Sequence, residues 1–161
     1  MKKNNQELWM ETTANGQVKL LIPGLAGFYA STPEVAYALV RFIIGYILFM
    51  HGWAKVQAGV PAEIAFFDKI AFPAPVFCAY AVIFLETVGS ACVALGLFTR
   101  FFAAAMAIEI GVMFLFVHLP RGFSAGKGGY EYVLLLGIVM FFIALRGGGR
   151  FSLDRLIGKE L

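Results

Sequence analysis

Apolar residues fall along this chain in four long runs, at about residues 33–54, 76–97, 101–119 and 130–146, separated by short stretches rich in Pro, Gly and charge. A helix needs about 20 mostly apolar residues to cross a bilayer core, and each run approaches that length. The pattern predicts an all-α protein, a four-helix transmembrane bundle. Thr32-Pro33-Glu34 opens the first run with a capping hydroxyl, a proline at the first helical position and an acid against the positive helix end. After it, GVPAEIAFFDKIAFPAP predicts a short helix from Pro61 with Ile64, Phe67 and Ile70 along one apolar edge. This piece reads as a lid at the membrane surface that Pro73 and Pro75 bring to an end.

A tight link with Thr99 and Arg100 joins the second and third runs. In the third, Ala103, Ala107 and Gly111 form a small-residue stripe that permits close helix approach. PRGFSAGKGG is a glycine-rich loop. GGG stops the fourth run, and Ser152 caps a short amphipathic tail helix. The chain therefore divides into a lead over 1–32, a membrane domain over 33–146 and a tail over 147–161. The lead is polar, then reads LIPGLAGFY; its Pro and Gly break a long helix, and Trp9, Phe28 and Tyr29 suit a headgroup interface. The opening MKKNNQELWMETTANG lacks the apolar run of a signal peptide.

Composition sharpens this picture. Of 161 residues 60% are hydrophobic and only 14% charged, against about 25% charged in a soluble domain. The net charge of +3 is small and gathers at segment ends, which leaves no stripe for nucleic acid. On one side of the bundle lie Lys2, Lys3, Lys19, Arg100, Arg146, Arg150, Arg155 and Lys159. Lys55, Lys69, Arg121 and Lys127 lie on the other. The positive-inside rule then predicts cytoplasmic N- and C-termini and a place in the bacterial cytoplasmic (inner) membrane. Cys78 and Cys92 share one apolar run; on a helix they stand about 21 Å apart, too far to bridge.

The candidate chemistry starts at RFIIGYILFMHGWAK, Arg41 to Lys55. Arg41, His51 and Lys55, in steps of ten and four, fall within roughly 80° of one helix face. Buried charge in a membrane bundle needs a partner. Arg41, Glu86 and Glu109 are expected at mid-depth, either as an Arg41–Glu86 ion pair that sets helix neighbours or as a proton or anion site with Glu109 protonated. His51, Lys55, His118 and Glu131 are expected together near the outer end. Three readings of that outer group stay open: a hydrogen-bonded cluster closing the bundle, a pocket for a polar headgroup such as a quinone carbonyl, or a metal or haem site. No HxxxH or ExxH spacing supports the last, and Lys55 opposes a dication, so no metal is assigned. Phe66, Phe67, Phe114 and Phe116 could stack on a flat ring or simply pack. No nucleophile with a neighbouring base stands out, and no residue receives a catalytic role.

Arg41-x3-Gly45-x5-His51-Gly52-x2-Lys55 resembles the first-span pattern of the DoxX family of small four-span membrane proteins. Glu86 with LGLFTR (Leu95 to Arg100) resembles its second span and turn, and His118, Glu131 and GGGRFSLD (Gly147 to Asp154) match the end. The likeness covers about residues 33–156; the long lead and Glu109 depart from it. It implies a four-helix bundle and a link to redox physiology, since relatives include a quinone-reducing thiosulfate oxidoreductase subunit and members of membrane-bound oxidant-defence complexes.

Together these observations predict an integral membrane subunit of a redox-linked system. It would bind a quinone-like or other small amphipathic ligand through Arg41, His51, Lys55, Glu86, His118 and Glu131. No intrinsic cofactor is expected, a quinone being the candidate ligand, and the subunit would work with membrane lipid and a partner protein or further copies of itself, not as a complete enzyme alone. The alternative is a non-catalytic accessory or assembly subunit whose buried polar groups enforce helix pairing; an oligomeric conduit is a third.

Overall fold

A computed structural model of the chain describes residues 20–160, which form helices and turns and no strand. The expectation for Trp9 and the rest of 1–19 lies outside the described residues. The described residues fall into two units, one up to Tyr37 and one from Ala38 onward. In the first, a 3-10 turn over Pro23–Leu25 leads into α1, Ala26–Ser31, so Pro23 and Gly24 do keep this segment short. Phe28 and Tyr29 contact each other edge-on and are exposed. Thr32 does not cap the next helix through its side chain: its hydroxyl donates back to the Phe28 carbonyl at 2.8 Å, closing α1. Pro33 and Glu34 occupy the first turn of α2, Pro33–Ala58, as expected.

The second unit takes in the remainder of α2, followed by α3 (Val60–Lys69), α4 (Pro75–Leu95), α5 (Thr99–Arg121), α6 (Glu131–Arg146) and α7 (Leu153–Ile157). Helices α2, α4 and α5, at 26, 21 and 23 residues, are long and apolar enough to cross a membrane. Helix α6 is apolar but has only 16 residues. Large apolar side chains such as Ile108, Phe116, Ile138 and Leu145 stand exposed on the helix surfaces, while Leu48, Val93, Met106, Met140 and Ile143 fill the interior. Apolar side chains both outside and inside are what lipid permits and water does not.

Helices α2 and α4 run antiparallel at backbone contact. A Cβ on Gly45 would lie 2.8 Å from the Ser90 carbonyl oxygen, and one on Gly52 would lie 2.6 Å from that of Glu86. The closest approach thus uses these two glycines. At Gly111 of the expected small-residue stripe a Cβ would meet nothing within 4 Å, so that position brings no helix close; Ala103 alone of the three is fully buried. Helix α3 packs through the expected apolar edge: Phe67 is buried against Ala79 and Val82 of α4, with Ile64, Ile70 and Met113 around them.

The tail locks one end of the bundle. Gly96 ends α4 in a left-handed conformation (φ 74°), with Leu97 N–H donating to the Cys92 carbonyl at 2.8 Å. The Arg41 guanidinium fills the space where a Gly96 side chain would stand. From there Arg41, 3% exposed, donates to the carbonyl oxygens of Gly148 and, at 2.6 Å, Phe151. Asp154 caps α5 from 55 residues away: it accepts from Phe98 N–H (2.6 Å), Thr99 N–H (3.0 Å) and the Thr99 hydroxyl (2.6 Å). A carboxylate at a helix N-terminus satisfies orphan donors and opposes the dipole. Arg100 does the converse for α6, donating to the carbonyls of Ala144, Leu145 and Arg146. Ser152 caps α7 as expected, accepting from Arg155 N–H.

The long-range cap gives a measurable expectation. Asp154→Ala leaves buried donors of α5 without acceptors and should lower unfolding stability in detergent by about 2–3 kcal/mol. Ligand content of the folded fraction should not change, because Asp154 belongs to the tail lock.

Candidate functional site

At the other end of α2 a cavity of about 350 Å3 opens between the helices, within the ordinary range for small-molecule sites. Its walls are mostly apolar: Leu48, Val82, Ile110, Val117 and Leu136 among others. Into it converge His51, Lys55, Glu63, Glu86, Glu109, His118 and Tyr132.

Local structure sets these positions. Glu86 sits in a π-helical turn, Leu85–Gly89, inside α4, and His118 in a second one, Phe114–His118, inside α5. Such widened turns displace a side chain from the regular helical face and recur at functional sites. The carbonyls they disturb are met by nearby hydroxyls: Thr87 donates to Ile83 at 2.6 Å, and Ser90 to Glu86. In hydrocarbon such internal satisfaction is what makes an irregular turn affordable.

Lys55, in the last turn of α2, forms an ion pair with Glu86, the two side chains being 25% and 12% exposed. The Glu109 carboxyl lies against Glu86, and its Oε2 is buried with no hydrogen-bond partner among the described residues. His118 Nδ1 lies 2.9 Å from the Gly128 carbonyl. A carbonyl can only accept, so Nδ1 carries the proton and Nε2 is left for the cavity. His51 faces the Tyr132 ring at 6.4 Å. Glu63, on the lid helix, is half-buried, and burial raises its carboxyl pKa above the ordinary 4.5; Lys55 opposes that rise and Glu86 adds to it.

Four of the six expected residues therefore share one cavity: His51, Lys55, Glu86 and His118. The other two stand elsewhere. The expected Arg41–Glu86 ion pair is not formed, because Arg41 is level with Gly96 and the tail loop, about 21 Å along α2 from Lys55. Glu86 pairs with Lys55 instead. Glu131 turns to the 122–130 loop, where its carboxylate accepts from Ala125 N–H at 2.8 Å and its own N–H donates to Phe123. The two polar layers expected in the sequence thus resolve into one cavity and one tail lock. Glu63 and Tyr132 join the site without having been placed in it, and Glu109, expected with Arg41 and Glu86 at mid-depth, lines the same cavity. For Glu63 a signal existed: it precedes the inward-facing Phe67 by four residues and so shares its face. The phenylalanines mostly meet one another edge-on, as in Phe66–Phe67 and Phe72–Phe116, and of the four singled out only Phe66 lines this cavity. Cys78 and Cys92 are both free thiols. Among the described residues no group of three or more His, Cys, Asp or Glu side chains is arranged to hold a metal ion.

Helices that span a membrane around such a polar cavity define an integral membrane protein. The chain belongs to the DoxX family, whose profile matches residues 36–119. It is 33% identical over 126 residues to a Bacillus subtilis protein named "Putative oxidoreductase CatD", an alignment covering 78% of this chain and 90% of that one. An uncharacterised Haemophilus influenzae protein is 30% identical over 131 residues, covering 76% of this chain and 91% of the relative. The Mycobacterium tuberculosis membrane protein Rv3486, also uncharacterised, is 28% identical over 133 residues, covering 75% and 80%. No solved structure matches the chain.

Two expectations follow from the electrostatics. Removing one partner of the part-buried pair strands the other, so Lys55→Met and Glu86→Gln should each lower unfolding stability by about 1–3 kcal/mol, and the double variant should cost less than their sum. Glu63 has its folded pKa above its unfolded value, so the fold is favoured below the unfolded pKa and that contribution is lost as pH rises through the folded pKa. Glu63→Gln should match the wild type in acid and exceed it in melting temperature towards neutral pH. A thermal series across that range checks the sign.

Proposed function

We propose that this DoxX protein is the membrane subunit of a redox-linked system and binds the head of a quinone-like molecule in the Lys55–Glu86–Glu109 cavity. The observation that carries this reading is an apolar cavity holding one cation, two adjoining carboxyls and a free imidazole nitrogen. Quinone reduction takes up two electrons and two protons, so its site needs a donor for the carbonyl oxygen and protonatable groups within reach. Lys55 supplies the donor, Glu86 and Glu109 hold and pass the proton, and Glu109 Oε2, buried without a hydrogen-bond partner among the described residues, is the atom a bound hydroxyl would meet. His118 Nε2 and His51 serve the second oxygen. The electrons come from a partner protein: two separate cysteines supply neither a dithiol couple nor the four thiolates of an iron–sulfur cluster. The relative named as an oxidoreductase supports the redox assignment.

In this reading α6 is the fourth span, its 16 residues giving about 24 Å, with Tyr130 and Tyr132 at one end and Arg146 at the other suited to the interfaces. The excess of basic residues at the tail end favours cytoplasmic termini and the bacterial inner membrane.

Titrating a short-tailed benzoquinone into the purified protein, with mass spectrometry of its lipid extract, tests the reading. The wild type should bind about one quinone per chain, and Glu86→Gln or Lys55→Met should weaken binding about tenfold or more, about 1.4 kcal/mol, with the fold retained. A folded wild type that binds no quinone and purifies in fixed ratio with another protein would favour the accessory-subunit function instead.

A further inference from the structure

Between α5 and α6 runs a second depression, an apolar groove of about 570 Å3. Small residues, Ala104, Ala107, Gly111 and Gly137, leave it room, and a side chain on Gly111 would meet nothing. At one end of the groove stands Arg100, paired at 3.1 Å with Glu160. Glu160 in turn lines a separate cavity of about 410 Å3 that also holds Arg146, Arg155 and Lys159. The apolar groove and the basic cavity therefore meet at the Arg100–Glu160 pair.

Among the described residues the basic cavity holds more cationic than anionic side chains. Its carboxylates are engaged by the fold, Asp154 by the α5 N-terminus and Glu160 by Gly148 N–H (2.6 Å) and Arg100. The Arg155 and Lys159 side chains have no ion pair among the described residues. The cavity stands where α4 ends, α5 begins and α6 ends, which in a spanning bundle is the level of the lipid headgroups. Beside it Leu156 and Ile157 are 82% and 56% exposed, as suits a segment lying at the headgroup boundary.

We propose that the two cavities together bind one anionic phospholipid, its phosphate held by Arg146, Arg155 and Lys159 and an acyl chain laid along the groove over Gly111. Basic side chains at an interface select anionic headgroups, and an open floor of small residues accepts a methylene chain without displacing packed side chains. A zwitterionic lipid would fit the groove equally but would gain less from the excess charge. A transmembrane helix of a second copy could lie along small residues, but a lipid phosphate answers the charges of Arg155 and Lys159 as well as filling the groove.

Native mass spectrometry of the delipidated full chain titrated with phosphatidylglycerol or phosphatidylcholine tests this. The wild type should prefer phosphatidylglycerol, and Arg155→Gln/Lys159→Gln should lose that preference by about thirtyfold while melting normally in zwitterionic detergent. Gly111→Leu should fill the groove and weaken both lipids alike with the preference kept, which provides an independent arm should the double variant melt early. Equal binding of both lipids by the wild type, or an unchanged preference in the double variant, overturns the proposal. So does inorganic phosphate binding as tightly as the lipid, or a dimer that Gly111→Leu dissociates.

Discussion

The hydrogen bonds from buried Arg41 to the Gly148 and Phe151 carbonyls tie α2 to a loop more than a hundred residues later. A guanidinium inside an apolar bundle has no water to fall back on, so the chain has to bring acceptors to it. The tail loop does so, and having been brought there it places Asp154 under the N-terminus of α5 and Glu160 beside Arg100. One buried charge thereby ties α2, at Arg41, to the ends of α4, α5 and α6.

With that end fixed, the other is free to be polar and open. Gly45 and Gly52 hold α2 against α4 at backbone distance, which brings Lys55 to Glu86 one turn beyond Gly52. The π turns at Leu85–Gly89 and Phe114–His118 then turn Glu86 and His118 towards the same space. The division is physically sensible. Arg41 and Asp154 bond to groups of distant segments and so hold the fold, whereas Glu109 presents a buried carboxyl oxygen with no hydrogen-bond partner among the described residues, which leaves it capacity for a ligand or a proton.

The lid helix joins these two regimes. Phe67 anchors it in the apolar core, and one turn earlier Glu63 reaches the cavity. A carboxyl held partly out of water beside Lys55 and Glu86 is electrostatically coupled to the interior while remaining on a surface helix.

The sequence by itself determined the all-helical class, the membrane solvent, the apolar runs and their ends, and which polar residues needed partners. All of these follow from local properties: run length, proline and glycine punctuation, and the cost of burying charge. Gly96, Pro33 and Ser152 act in the structure as their local chemistry requires. Which charge meets which was decided by the tertiary structure. Depth inferred from position along a helix put Arg41 with Glu86 and Glu131 with the histidines. The vertical offset of α2 against α4, fixed by glycine contacts, and the return of the tail loop moved Arg41 away, while the 122–130 loop drew Glu131 off. The π turns were equally hidden, since an inserted helical residue leaves no mark in hydropathy; it changes only which face a side chain occupies once neighbouring helices have packed.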